Sequence, residues 1–270
     1  MLAGAVSSAT EVRNPIKAAR VVAADDRFIL LTADGADTFA RDAGLAMEGP
    51  DYFITDWRWD LHIEHMPDAA LAAEQQAVRE NRMAEALAEA LAEPATVSSA
   101  KTAGTSGGPP PPELKFGTVG CVALDRVGNL CAGTSTGGLN NKEFRRVGDS
   151  PMIGAGTYAS NDSCAVSCTG AGENFIKECA AHAVAGRMRW GGASLAEAAD
   201  AVIYGEHATV GGVSGGLVAM DSNGDVAYPF NSKAMYRGQM SSESEGECLT
   251  LIWREEGDSH GEEGDDQPIH

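Results

Sequence analysis

The feature that most restricts how this chain of 270 residues can fold is an abrupt change of composition at residues 95–112. That stretch is dominated by Thr, Ser, Ala and Gly and ends in four consecutive prolines, Pro109 to Pro112. Proline fixes φ and lacks a backbone donor, so such a run holds neither a helix interior nor a central strand and reads as a linker. Directly behind it, Thr118-Val-Gly-Cys-Val-Ala-Leu-Asp125 and Leu130-Cys-Ala-Gly-Thr134 flank a Gly128-Asn129 turn. This pattern predicts two strands joined by a tight reversal. A flexible tether is therefore expected to end at the first residue of a buried hairpin.

The flanking regions predict helices and strands in alternation. Asn14-Pro15 marks a helix start, because proline at the first helical position needs no donor. Residues 28–31 form a short apolar run of strand type, and residues 67–91, rich in Ala, Glu, Gln and Leu, predict a surface helix. Downstream, residues 164–168 read as a strand, 173–188 as one amphipathic helix and 195–203 as another. Residues 215–220 and 225–229 around Asn223-Gly224 read as a second hairpin. Antiparallel pairs with helices between them imply layered sheets covered by helices, an α+β arrangement.

Charge and cysteine usage remove several function classes. Acidic residues outnumber basic ones 39 to 20, a net −19, so nucleic acid and anionic membrane surfaces are not expected partners. Residues 241–270 hold ten Asp or Glu against the single Arg254 and are expected to form a solvated tail. The six cysteines lack paired CxxC spacing and read as reduced core residues. His62 and His65 are spaced HxxH but have no accompanying ligand pattern, so no metal site is assigned. No leader opens the chain and no apolar run approaches the ~18 residues needed to span a bilayer, which makes the cytoplasm the expected compartment.

Chemistry is suggested by where the hydroxyl residues fall. Thr118 opens a strand, Gly117 before it leaves its carbonyl approachable, and Thr134, Ser135 and Thr136 end the adjacent strand. If the Gly117–Thr118 bond were cut, Thr118 would carry both a nucleophilic hydroxyl and a free α-amine to serve as its base. Arg146 and Asp149 could hold the carboxylate and the ammonium of an amino-acid zwitterion, although two such residues could equally pair with each other on a surface loop.

These segments occur in order with Arg146-Val-Gly-Asp-Ser-Pro151, Gly154-Ala-Gly156 and Thr169-Gly-Ala-Gly-Glu173. In that order the chain resembles the plant-type (class 2) L-asparaginase and isoaspartyl aminopeptidase family of N-terminal nucleophile hydrolases, from about Met1 to about Arg237. The resemblance implies a four-layer αββα sandwich and a precursor that cuts itself between Gly117 and Thr118. The products would be an α chain, 1–117, with its linker at about 95–117, and a β chain, 118–270, together forming one domain. It implies Thr118 as nucleophile, Thr136 as a second hydroxyl against it, and Thr169 with the Gly170 N–H as oxyanion donors. Arg146, Asp149, Thr169, Gly170 and Gly172 would contact a small substrate, L-asparagine or a β-aspartyl dipeptide. The Gly-rich run 211–216 fits the family's flexible substrate-side loop, and an (αβ)2 assembly is implied as well.

The chain departs from the family pattern at its start, where the family's N-terminal strand and sodium-binding loop have no counterpart, so no cofactor is expected. A misassigned or truncated start is the first explanation. The second is a degenerate member that never matures and serves as a non-catalytic scaffold. A threonine endopeptidase of the taspase kind is disfavoured by the Arg146 and Asp149 pair, which grasps a free amino acid.

Overall fold

The computed structural model describes residues 2–64, 117–205, 215–232, 234–242 and 248–253. The predicted linker at 95–112, the predicted helix at 67–91, His65 and residues 211–214 of the Gly-rich run lie outside the described residues. The chain divides into two compact units, the first comprising 1–50, 116–138 and 144–270 and the second 51–115 and 139–143.

In the first unit the order is β1 (Ala5–Ser7), α1 (Pro15–Ala24), β2 (Leu30–Thr32) and α2 (Ala33–Asp42), followed after the second unit's helix α3 (Asp56–Glu64) by β3 (Thr118–Leu124) and β4 (Leu130–Thr136). Then come β5 (Thr157–Ala159), β6 (Cys164–Gly170), α4 (Gly172–Lys177), α5 (Ala180–Gly191), α6 (Leu195–Ile203), β7 (Gly215–Asp221), β8 (Val226–Ala227), β9 (Ala234–Gln239) and β10 (Leu249–Trp253). In the second unit, Asn141 reaches α3, its Oδ1 contacting the His62 ring and its Nδ2 donating to the His62 carbonyl at 3.1 Å.

The central sheet is β5-β6-β7-β8, antiparallel throughout. Strand β6 is buried on both faces, which its uninterrupted Cys-Ala-Val-Ser-Cys run allows. Alternation along a strand sends Cys164, Val166 and Cys168 one way, into a core with Phe175, Val184 and Val202 from the helices. Helix α6 starts where expected because Ser194 and Glu197 cap it reciprocally: Ser194 Oγ accepts from Glu197 N–H and Glu197 Oε2 accepts from Ser194 N–H.

Ala165, Ser167 and Thr169 face the opposite way, toward the β3-β4 hairpin. Contact there is close: a Cβ built on Gly120 would lie 2.0 Å from Ser167 Oγ, so only glycine fits. Thr134, the cross-strand partner of Gly120, exchanges a hydrogen bond with Ser167 Oγ at 2.7 Å and donates to the Gly156 carbonyl at 3.1 Å. On the hairpin's other face, Ile16 of α1 approaches Gly133. The two hairpins, the strand at 164–168 and the helices at 15 and 195 thus fall where the sequence places them.

Four expectations need correction. The β3-β4 hairpin is not buried: Val119 is 70% exposed, and Cys121 and Ala123 on the same face are exposed too. The face toward β6 is covered, whereas on the other face Ile16 of α1 reaches Gly133 and leaves the β3 side open. The single helix expected over 173–188 is two, α4 and α5, separated at Cys179, whose φ of 50° cannot continue a right-handed helix. All six cysteines are free, as expected, but only Cys164 and Cys168 are buried; the other four are exposed. The tail is not irregular throughout: Leu249–Trp253 pairs antiparallel with β9, its side chains mostly exposed, while the ten acidic residues lie outside the described residues. That run of apolar and β-branched residues favours a strand within an acidic surrounding.

Candidate active site

The hairpin brings the first pair of candidate residues together by register. Thr118 stands opposite Thr136, and Thr118 Oγ1 donates to Thr136 Oγ1 at 3.3 Å. Thr136 Oγ1 in turn points at the Gly117 carbonyl oxygen at 3.5 Å, a long contact, and accepts from the Gly138 N–H at 3.0 Å. One hydroxyl therefore touches both the candidate nucleophile and the carbonyl of the candidate scissile bond. Such an arrangement can take a proton from Thr118 and polarise the Gly117 carbonyl.

Thr169 and Gly170 lie at the same end of the sheet pair. Leu124 at the far end of β3 lies against Gly224, just beyond the β7 terminus that pairs with Cys164, and Gly120 sits on Ser167. Thr118 therefore lies toward the end of β6 where Thr169 and Gly170 are. Gly170 has φ of 146° and turns the chain from β6 toward α4, a conformation an L side chain rarely adopts.

The charged candidates gather beside that turn. Gly172 packs on both Arg146 and Asp149: a Cβ there would be 2.9 Å from Arg146 Nη2 and 2.9 Å from Asp149 Oδ1. Gly156 closes the other side, where a Cβ would lie 2.8 Å from Asp149 Oδ2. Gly156 also accepts from Thr134 and from the Cys168 N–H, so the charged cluster is tied to both sheets.

Arg146 and Asp149 do not pair with each other on a surface loop. Arg146 is bound by Glu173, a residue to which sequence reasoning gave no role, with Nε and Nη2 donating to Oε1 and Oε2 at 2.6 and 2.7 Å. This hydrogen-bonded pairing holds the Glu173 carboxyl below its ordinary range. Its position as the last residue of the Thr169-Gly-Ala-Gly-Glu motif was the available signal. Asp149 is 5% exposed, and its Oδ2 is buried with no hydrogen-bond partner. Burial pushes its carboxyl up to about 6, against the lowering effect of its own backbone N–H and of Arg146. A buried carboxylate with one oxygen unpartnered, beside an engaged arginine, is a site suited to a cationic group. Among the described residues no cluster of His, Cys, Asp and Glu is arranged to hold a metal ion, and no helix is long and apolar enough to cross a membrane.

Known proteins with similar sequences share a chemical theme. An isoaspartyl peptidase of Salmonella typhimurium is 43% identical over 235 residues, which cover 87% of this chain and 65% of that protein. The isoaspartyl peptidase of Escherichia coli is 42% identical over 258 residues, 95% of this chain and 70% of that protein. A probable isoaspartyl peptidase/L-asparaginase 2 of Arabidopsis thaliana is 40% identical over 264 residues, 93% of this chain and 71% of that protein. The chain thus spans about two thirds of the length of the relatives it matches. A family model described as asparaginase matches residues 1–250, and the chain belongs to that asparaginase family.

Proposed function

We propose that this chain is a self-cleaving amidohydrolase that acts on L-asparagine or β-aspartyl dipeptides through an N-terminal threonine. The single observation that carries the reading is the contact of Thr136 Oγ1 with both Thr118 Oγ1 and the Gly117 carbonyl oxygen. In the maturation step, Thr118 Oγ1 attacks the Gly117 carbonyl carbon, the peptide C–N bond breaks as the amine takes a proton, and water hydrolyses the resulting ester. The products are chains 1–117 and 118–270.

The freed amine of Thr118 then serves as base for its own hydroxyl. Attack on the substrate's side-chain carbonyl gives a tetrahedral intermediate whose oxyanion the Thr169 hydroxyl and the Gly170 N–H receive. Loss of one such donor costs about 10²–10³ in rate. The leaving ammonia or amino acid takes its proton from the amine, and water cleaves the acyl-enzyme. Arg146 takes the substrate's α-carboxylate, and Asp149, buried and with its Oδ2 unpartnered, takes its ammonium.

This chemistry draws on the chain's own groups and calls for no cofactor. The contacts of α1 with the hairpin, of the hairpin with β6, of β6 with α5 and of β7 with α6 support a four-layer αββα arrangement. An (αβ)2 assembly and a cytoplasmic location complete the proposal. The test is the intact mass of the purified chain over days beside Thr118→Ala. Two fragments with a new N-terminus at Thr118, absent from the variant, are expected; an uncut parent overturns the reading.

A further inference from the structure

A guanidinium offers a carboxylate two edges, one made by Nε–H and Nη2–H and the other by Nη1–H with the outer Nη2–H. Glu173 occupies the first, with both of its oxygens. The second is bordered by glycines: a Cβ on Gly148 would lie 2.8 Å from Nη1, and one on Gly172 would lie 2.9 Å from Nη2. A larger residue at either position would crowd the approach to those nitrogens. The Arg146 side chain is 20% exposed and that of Glu173 54%, so the arginine lies in the wall and its partner faces solvent. Asp149 Oδ1 borders the same Gly172 position as Nη2, which sets the outer edge and the aspartate side by side.

We propose that Glu173 is a positioning residue for substrate recognition: by holding the inner edge of Arg146 it presents the outer edge, between Gly148 and Gly172, to the substrate's α-carboxylate. This rests on the reading that Arg146 takes that carboxylate. An untethered arginine would have to give up rotamer freedom each time substrate bound, weakening affinity. Glu173 also offsets the arginine's charge, leaving Asp149 in need of a cation. A Glu173 that instead competed with substrate would have to sit on the outer edge, and it does not.

The test compares steady-state kinetics of matured parent, Glu173→Gln and Glu173→Asp on L-asparagine and on its α-carboxamide, which carries no carboxylate. Glu173→Gln is expected to raise KM for L-asparagine about tenfold or more while kcat stays within about threefold. Glu173→Asp, charged but one methylene shorter, is expected to fall between parent and Gln, and carries the test alone if the Gln variant does not mature. On the α-carboxamide the variants and the parent are expected to share one KM. If the parent discriminates between the two substrates but the variants leave KM for L-asparagine unchanged, the role of Glu173 is overturned and that of Arg146 stands. A lowered KM overturns it too and makes Glu173 a competitor. A parent that does not discriminate overturns the Arg146 reading and this inference with it.

Discussion

The hairpin that carries Thr118 and the charged cluster beside it are built in opposite ways. Strands β3 and β4 form a two-stranded sheet with one face partly exposed, and the hydroxyl contacts at Thr118 and Thr136 are 3.3 and 3.5 Å long. Around Asp149 and Arg146, glycines stand where any Cβ would collide, and the ion pair is short and bidentate. On the proposed reading the hairpin breaks its own backbone and then admits substrate and water, and so has use for slack. A centre that reads a zwitterion gains affinity from being set in advance.

Thr136→Val is the sharpest way to break the contrast on the hairpin side. It keeps the β-branched shape and removes only the hydroxyl shared by Thr118 and Gly117. Self-cleavage is expected to slow by about 10²-fold with an unchanged thermal melt. A time course of fragment appearance checks this, and parental kinetics would show the contact to be idle.

Asp149→Asn probes the rigid side. Burial raises this carboxyl from 3.8 to about 6. The folded value lies above the unfolded one, so the stabilising effect of protonation is fully present below about pH 4 and lost as pH rises through about 6. Removing the charge is expected to stabilise the ligand-free chain at neutral pH by on the order of 2–3 kcal/mol, with no gain near pH 4, while abolishing tight substrate binding. Denaturant melts at the two pH values decide it, and an equal effect at both would show that charge is not the cause.

The smallest effect concerns thiols. Cys121, Cys131, Cys179 and Cys248 are expected to alkylate in the native chain without loss of stability. Cys164, whose thiol burial pushes up to about 11, and Cys168, pushed well above the ordinary thiol range by burial, should react only on unfolding. Mass spectrometry of the labelled chain reads the sites directly, and early labelling of Cys168 would mean that β6 opens.

What was legible in the sequence follows the same division. The hairpin start at Thr118, the turn at Gly128 and the helix at 195–203 are local signals, and local signals survive folding. The break at Cys179 was not legible, because no glycine or proline announces it and the chain turns there through a strained φ. Burial of the hairpin was misread, since apolar runs say that a strand exists but not how many of its faces are covered. In the site, Arg146 and Asp149 were found as charges. Their environments, a Glu173 partner for one and none for the Oδ2 of the other, depend on the turn after β6 and so on the packed sheets.

The bridge from Thr134 to Ser167 has a consequence for fidelity. A slip of two residues along the hairpin would keep every inward side chain inward, so burial alone gives little warning of it. It would, however, part Thr118 from Thr136: a slide of β4 moves Thr134 off both Ser167 Oγ and the Gly156 carbonyl, leaving polar groups unanswered between two sheets, and a slide of β3 takes Gly120 off Ser167, where no Cβ fits. The hydroxyl works as a proofreader: it detects the one misalignment to which hydrophobic patterning is blind, and the residue that error would misplace is Thr118.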